Sequence, residues 1–314
     1  PYLHAPKSQV SLMLVTTALF AIFGLIACIS TAHALNQGQE HGLRGQSELS
    51  RRNLVARSSS DKSFTEIATS TQTDKVTIDG YGHNYGWFYD QYLASIRYDT
   101  FTFVEIGLSS GRGAKAWKQF LPNARVVEME IGCTAENAHK NSWITGTSVF
   151  KEFKASGNLY CMDALNYPEA EKVLQNFNSP FMVMCEDGGH SDREMVMSFL
   201  YYFPRLASNG MFFSEDIGVV YATDKKRYGM KNILTSVMEP LQDVVQYDTK
   251  SAKLNKLNKN KLKAFKDIVK MTACAQGICM IQRNNNAVPQ EALDLYKEYT
   301  DIWDSGNSAP LKDA

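Results

Sequence analysis

The sequence predicts an α/β fold: a doubly wound, mostly parallel seven-stranded sheet that ends in an antiparallel hairpin. Three observations carry this expectation. Short apolar runs alternate with amphipathic stretches from residue 101 to residue 239, the pattern of strands covered by helices on both faces. A glycine-rich segment, Gly107-Leu-Ser-Ser-Gly111-Arg-Gly113, separates the first run from the helix after it. Acids close several of the runs, namely Glu105, Glu130, Asp163, Asp187 and the pair Glu215-Asp216.

The chain begins with an uncharged stretch, Val10–Ile29, and about 20 such residues can cross a bilayer as a helix. Lys7 precedes it and Ala32-His33-Ala34 follows, so residues 1–35 are expected to be a signal peptide or a signal anchor. This implies a single-pass membrane or secretory-pathway location, with the Golgi or ER lumen as candidates. Residues 36–72 are polar, with Arg51-Arg52 and a serine run at 58–60, and are expected to form a stem without regular structure. The folded domain is expected over 73–314, with order beginning near Asp74-Lys75.

Tyr85–Ile96 places aromatic and aliphatic residues at helical spacing. Strands are predicted at 101–106, 125–130, 158–162, 181–186 and 210–215. Helices are predicted at 112–121, 168–177, 191–206 and 228–239. Ile268–Arg283 reads as two strands around a turn at Gly277, and a helix is expected from about Pro289 to Trp303. Lys250–Lys266 is lysine- and asparagine-rich and reads as a solvated insertion.

Charge is balanced, with 33 basic and 33 acidic residues, so no bulk field selects nucleic acid. Six cysteines are too few and too scattered for a disulfide framework. Cys274 and Cys279 could bridge the hairpin, or serve as two small apolar residues in it.

The glycine spacing is GxxxGxG, which fits neither a dinucleotide fingerprint nor a phosphate-binding P-loop. Glu105 stands where it would repel a pyrophosphate but could pair with a cationic amino group. Glu130, at the next strand end, suits a ribose diol. Together they describe a nucleoside with a cationic amino-acid tail, S-adenosylmethionine. Gly107, Ser109 and Gly111 would line it, and Asp163 would lie near the adenine.

The next two strands end in Cys185-Glu-Asp187-Gly-Gly-His190 and Ser214-Glu215-Asp216. Converging carboxylates repel unless a cation neutralises them. Oxygen ligands favour a hard ion, Mg2+ first, with Mn2+ or Ca2+ as alternatives. Asp187, Glu215 and Asp216 are the candidate metal ligands, and His190 the candidate proton acceptor.

The motifs EIGxxxGxG, EDGGH and SEDIGVVY, together with Thr73-Asp-Lys75 and His83-Asn-Tyr85, resemble the Rossmann-like class I methyltransferases that modify sugar hydroxyls of macrolides. The resemblance covers roughly 73–285. It implies Mg2+ on Asp187, Glu215 and Asp216, a base at His190, and Tyr221 near the substrate. Gly189 departs from the family's usual serine, and Ser109 stands at the central loop glycine of many methyltransferases. The expected acceptor is a hydroxyl of a sugar or glycosylated small molecule. Rival readings are a catechol-type or lipid hydroxyl, a membrane-tethered binding protein without catalysis and, more distantly, an NAD-dependent oxidoreductase. Further partners would be a membrane, through an uncleaved N-terminal segment, and other copies of the chain.

Overall fold

A computed structural model describes residues 61–217 and 262–304. The expected span at 10–29, the helix at 228–239, most of the lysine-rich insertion and Tyr221 lie outside these residues. Among the described residues no helix is long and apolar enough to cross a membrane.

The first element, α1 (Phe64–Thr71), falls inside the expected stem. Ser63 caps it: its hydroxyl accepts from the Glu66 N–H while the Glu66 carboxylate accepts from the Ser63 N–H, the reciprocal pair of a capping box. Phe64, Ile67, Ala68 and Thr71 recur at helical spacing and are buried. Packing therefore starts about ten residues earlier than expected. Next come α2 (Gly86–Leu93), β1 (Thr102–Ile106), α3 (Arg112–Phe120) and β2 (Arg125–Met129). The short helices α4 (Ser142–Thr145) and α5 (Ser148–Ala155), unforeseen in the sequence, lead to the two-residue β3 (Leu159–Tyr160). Then follow α6 (Tyr167–Gln175), β4 (Phe181–Glu186), α7 (Asp192–Tyr202) and β5 (Met211–Ser214). The hairpin β6 (Val269–Ala275) and β7 (Ile278–Arg283) precedes α8 (Gln290–Asp304).

The seven strands lie in the order β3-β2-β1-β4-β5-β7-β6. The first five are parallel, and β7 runs antiparallel between β5 and β6. Alternation along each strand divides the core between two faces. Phe103, Val126, Val183 and Phe213 join Phe64, Tyr89 and Trp117 on one face. Val104, Val127, Met184 and Phe212 join Phe199, Phe203 and Leu295 on the other. Glu105 and Glu128 share the parity of the first set and are register partners on neighbouring strands. Both are buried.

Two disulfides form. Cys274–Cys279 bridges the hairpin as the sequence allowed. Cys133–Cys161 closes a loop of 28 residues and corrects the expectation that the scattered cysteines form no framework, because the fold brings the ends of β2 and β3 side by side.

Candidate active site

The order reversal between β1 and β4 opens a crevice at the strands' carboxyl ends, the place where open α/β sheets bind ligands. A cavity of about 420 Å³ occupies it. Gly107–Ser110, Glu130, Ile131, Trp143, Asp163–Leu165, Asp187–His190 and Asp216 line it.

The glycine loop is as tight as its sequence implied. A side chain at Gly107 (φ +102°) would strike the Asp187 carbonyl oxygen at 2.1 Å, so the first loop packs directly on the loop after β4. Ser109, His190 and Asp216 hold left-handed backbone, with φ of 48°, 56° and 55°. Non-glycine residues adopt it at a cost of about 1–3 kcal/mol each, and such positions cluster at functional sites. Gly189 also has a local reason: a Cβ there would meet the Glu194 carboxylate at 2.2 Å, and that carboxylate caps α7 through the Ser191 N–H.

Glu130 accepts from the Ser109 N–H at 3.1 Å and the Gly132 N–H at 2.6 Å, which fixes its carboxylate on the cavity wall. Asp163 accepts from the Leu165 N–H at the cavity's edge. Both line the cavity. Glu105 also lines the cavity, but it already has a cation. Its carboxylate lies 3.0 Å from the Lys75 ammonium and accepts from the Trp117 indole N–H at 2.9 Å.

Lys75 is the residue that sequence reasoning passed over, although Thr73-Asp-Lys75 was part of the resemblance. Only 2% of its side chain is exposed. Its ammonium also donates to Asp187 at 2.7 Å and to both Glu215 oxygens at 2.9 Å. Burial alone would lower its pKa, but Asp187, Glu105 and Glu215 overcome this and hold it well above the ordinary lysine value. Burial likewise raises Asp187, to about 6, against the pull of Lys75.

The expected trio of acids separates on this lysine. Asp187, His190 and Asp216 each offer a ligand atom, all within 4.8 Å of one another. Glu215 faces Lys75, as Asp187 also does, and accepts from the Tyr89 hydroxyl, but it is not among the ligand atoms that meet His190 and Asp216. The reason is charge: a buried carboxylate takes the nearest cation, and here that cation comes from far away in the chain. Asp216 is clamped by the Tyr85 hydroxyl at 2.8 Å and by His83 Nε2 at 3.2 Å, with His83 stacked on the Tyr85 ring. His190 Nε2 lies 3.6 Å from Asp216, and its Nδ1 is buried without a hydrogen-bond partner. Glu128, beside Glu105, has no hydrogen-bond partner for either carboxyl oxygen, and burial raises its pKa well above the ordinary range.

Fold and site together define a Rossmann-like methyltransferase architecture. A chain from the mycinamycin pathway, the MycE methyltransferase bound to Mg, SAH and mycinamycin VI, superposes with a TM-score of 0.54 at 15% identity over 72% of this chain and 56% of that one. The same protein with Mg and SAH alone gives 0.53, also at 15% identity, over 72% and 55%. In sequence, the chain is 26% identical over 147 residues to L-olivosyl-oleandolide 3-O-methyltransferase of Streptomyces antibioticus, a stretch covering 43% of this chain. That stretch spans 33% of the curated relative, and the matched region just over half of the solved chains. No family model matches the chain.

Proposed function

We propose that this protein transfers a methyl group from S-adenosylmethionine to a hydroxyl, that of a sugar or glycosylated small molecule, with Mg2+ or Mn2+ as cofactor. The observation that carries the reading is the meeting of Asp187, His190 and Asp216 in a cavity that Glu130 and the glycine loop also line. The donor set fits a hard divalent ion: the Asp187 and Asp216 carboxylates approach one space, while Lys75 pairs with Glu215 and shares Asp187. Asp187 and Asp216 would hold the ion, which when bound lowers the pKa of a coordinated hydroxyl.

The remaining work falls to the chain's own groups. Glu130 receives the ribose hydroxyls, and Ile131 and Trp143, 51% and 56% exposed, offer apolar faces to the adenine. Glu105 and Asp163 complete the donor pocket. His190 accepts the hydroxyl proton at Nε2, and Asp216 stabilises the imidazolium that results. The C–O bond forms as the sulfonium C–S bond breaks, leaving a neutral thioether. Tyr221 is assigned to the acceptor by resemblance alone. The relatives' acceptors favour a sugar: one is named for an olivosyl macrolide, and the other was solved with mycinamycin VI. Two disulfides suit an oxidising compartment, which supports a secretory location reached through residues 1–35.

His190→Ala should abolish methylation while leaving the affinity for S-adenosylhomocysteine within about twofold, since the imidazole meets the acceptor rather than the donor. Turnover at the wild-type level would remove the base assignment. EDTA should stop the reaction and added Mg2+ restore it; full activity after chelation would sink the metal.

A further inference from the structure

One wall of the donor cavity hangs on a very short ladder. β3 is a two-residue edge strand, paired to β2 only at Glu128–Leu159 and Met129–Tyr160. Two more backbone bonds follow, from the Glu130 N–H to the Tyr160 carbonyl and from the Met162 N–H to the Glu130 carbonyl. Between the strands the chain runs out through α4 and α5, and this excursion carries Ile131, Asn141, Trp143 and Ile144 of the cavity wall. The Cys133–Cys161 disulfide closes it at its base. Cys133 follows Glu130 by three positions and Cys161 precedes Asp163 by two, so the bridge fastens both acids that face the nucleoside end of the cavity.

We propose that Cys133 and Cys161 are positioning residues for the methyl donor, and that their disulfide makes donor affinity depend on the redox state of the chain. Bridged, the pair holds Glu130, Asp163 and the Trp143-bearing excursion at donor-binding spacing. Reduced, the short β2–β3 ladder and the bonds of Glu130 to Ser109 and Gly132 are left, and part of the ordering of the wall falls on the ligand. Bridge formation transfers two electrons and two protons from the two thiols to a small-molecule disulfide, which becomes two thiols; a reducing thiol runs the exchange backwards. Cys274–Cys279 tethers the hairpin, whose turn packs on Tyr85 and not on this wall, and neither cysteine lines the cavity. The inference rests on the assignment of the cavity to S-adenosylmethionine.

The test is calorimetric titration of the full chain with S-adenosylhomocysteine in three states: oxidised, treated with dithiothreitol, and reoxidised with glutathione disulfide. Thiol mapping by mass spectrometry reports which bridge is open. Cys133→Ser/Cys161→Ser and Cys274→Ser/Cys279→Ser are titrated alongside, with melting curves. Reduction and the first double variant should raise Kd by about tenfold or more, the loss expected when a preorganised wall must be ordered by its ligand. Reoxidation should restore affinity in each chain that keeps Cys133 and Cys161, and the second double variant should bind as the oxidised wild type does before reduction. Unchanged affinity in mapped, reduced wild type, even with a lowered melting temperature, would overturn the inference and leave the donor assignment standing. Absence of binding in the oxidised chain would overturn both.

Discussion

Lys75 sets the electrostatics of the site from a position with no local signal. Its partners Asp187 and Glu215 lie 112 and 140 residues away in sequence, and it precedes the first strand. The acids were legible because they end strands; the cation that sorts them was not, because nothing in its neighbourhood marks it as buried. Of the three acids expected together, Asp187 and Asp216 meet at His190, whereas Glu215 and Asp187 share Lys75. A buried ion pair broken on one side leaves an uncompensated charge, at a cost of about 3–5 kcal/mol. Lys75→Met should therefore destabilise the metal-free protein by that order at pH 8, measured as a fall in the urea midpoint. A loss below about 1 kcal/mol would show that the three carboxylates find protons or water instead.

Among elements, the parallel strands and their helices stood out because each is a continuous apolar run or a clear 3.6-residue pattern. Helix α1 was missed although its signal was present: Ser63 and Glu66 form a capping box, and Phe64, Ile67, Ala68 and Thr71 share one face. Its threonines and serines gave the segment the composition of a linker. The helices α4 and α5 were missed for a different reason: α4 has four residues, and the eight of α5 bury only Phe150 and Phe153, too few repeats for a helical period to declare itself. The Cys133–Cys161 pair likewise has no spacing code; only the β2–β3 ladder brings it together. Phe64 ties α1 to the domain, fully buried and stacked on Trp117 at 4.2 Å. Trp117 in turn donates to Glu105, so α1 backs the donor side of the site. Phe64→Ala should cost about 3–5 kcal/mol in a chemical denaturation curve. An effect under about 1 kcal/mol would mean that α1 is peripheral.

At the scale of the molecule, the order β2-β1-β4-β5 brings Glu105, Asp187 and Glu215 against one ammonium, Lys75, with a fourth carboxylate, Asp216, beside Asp187. With all ionised, the site carries three uncompensated negative charges, which a divalent ion and a donor of net charge +1 would balance. Protons compete for the same places. Burial raises the Asp187 pKa to about 6, with Lys75 opposing and Glu105 and Asp216 adding, against about 3.9 in an unfolded chain. Because the folded value is the higher, the folded state binds this proton more tightly. The stability it contributes is full below about pH 4 and is lost as pH rises through 6. A metal ion reverses the preference, since only the ionised carboxylate binds it. The increase in melting temperature on adding Mg2+ should thus be large at pH 8, shrink through pH 6 and fall to about half near pH 5. Saturation at about 100 times the dissociation constant corresponds to about 2.7 kcal/mol. Scanning fluorimetry over that pH range, with and without EDTA, measures it. A Mg2+ shift of equal size at pH 5 and pH 8 would place the ion on groups other than Asp187, and no shift at pH 8 would remove the metal from this site.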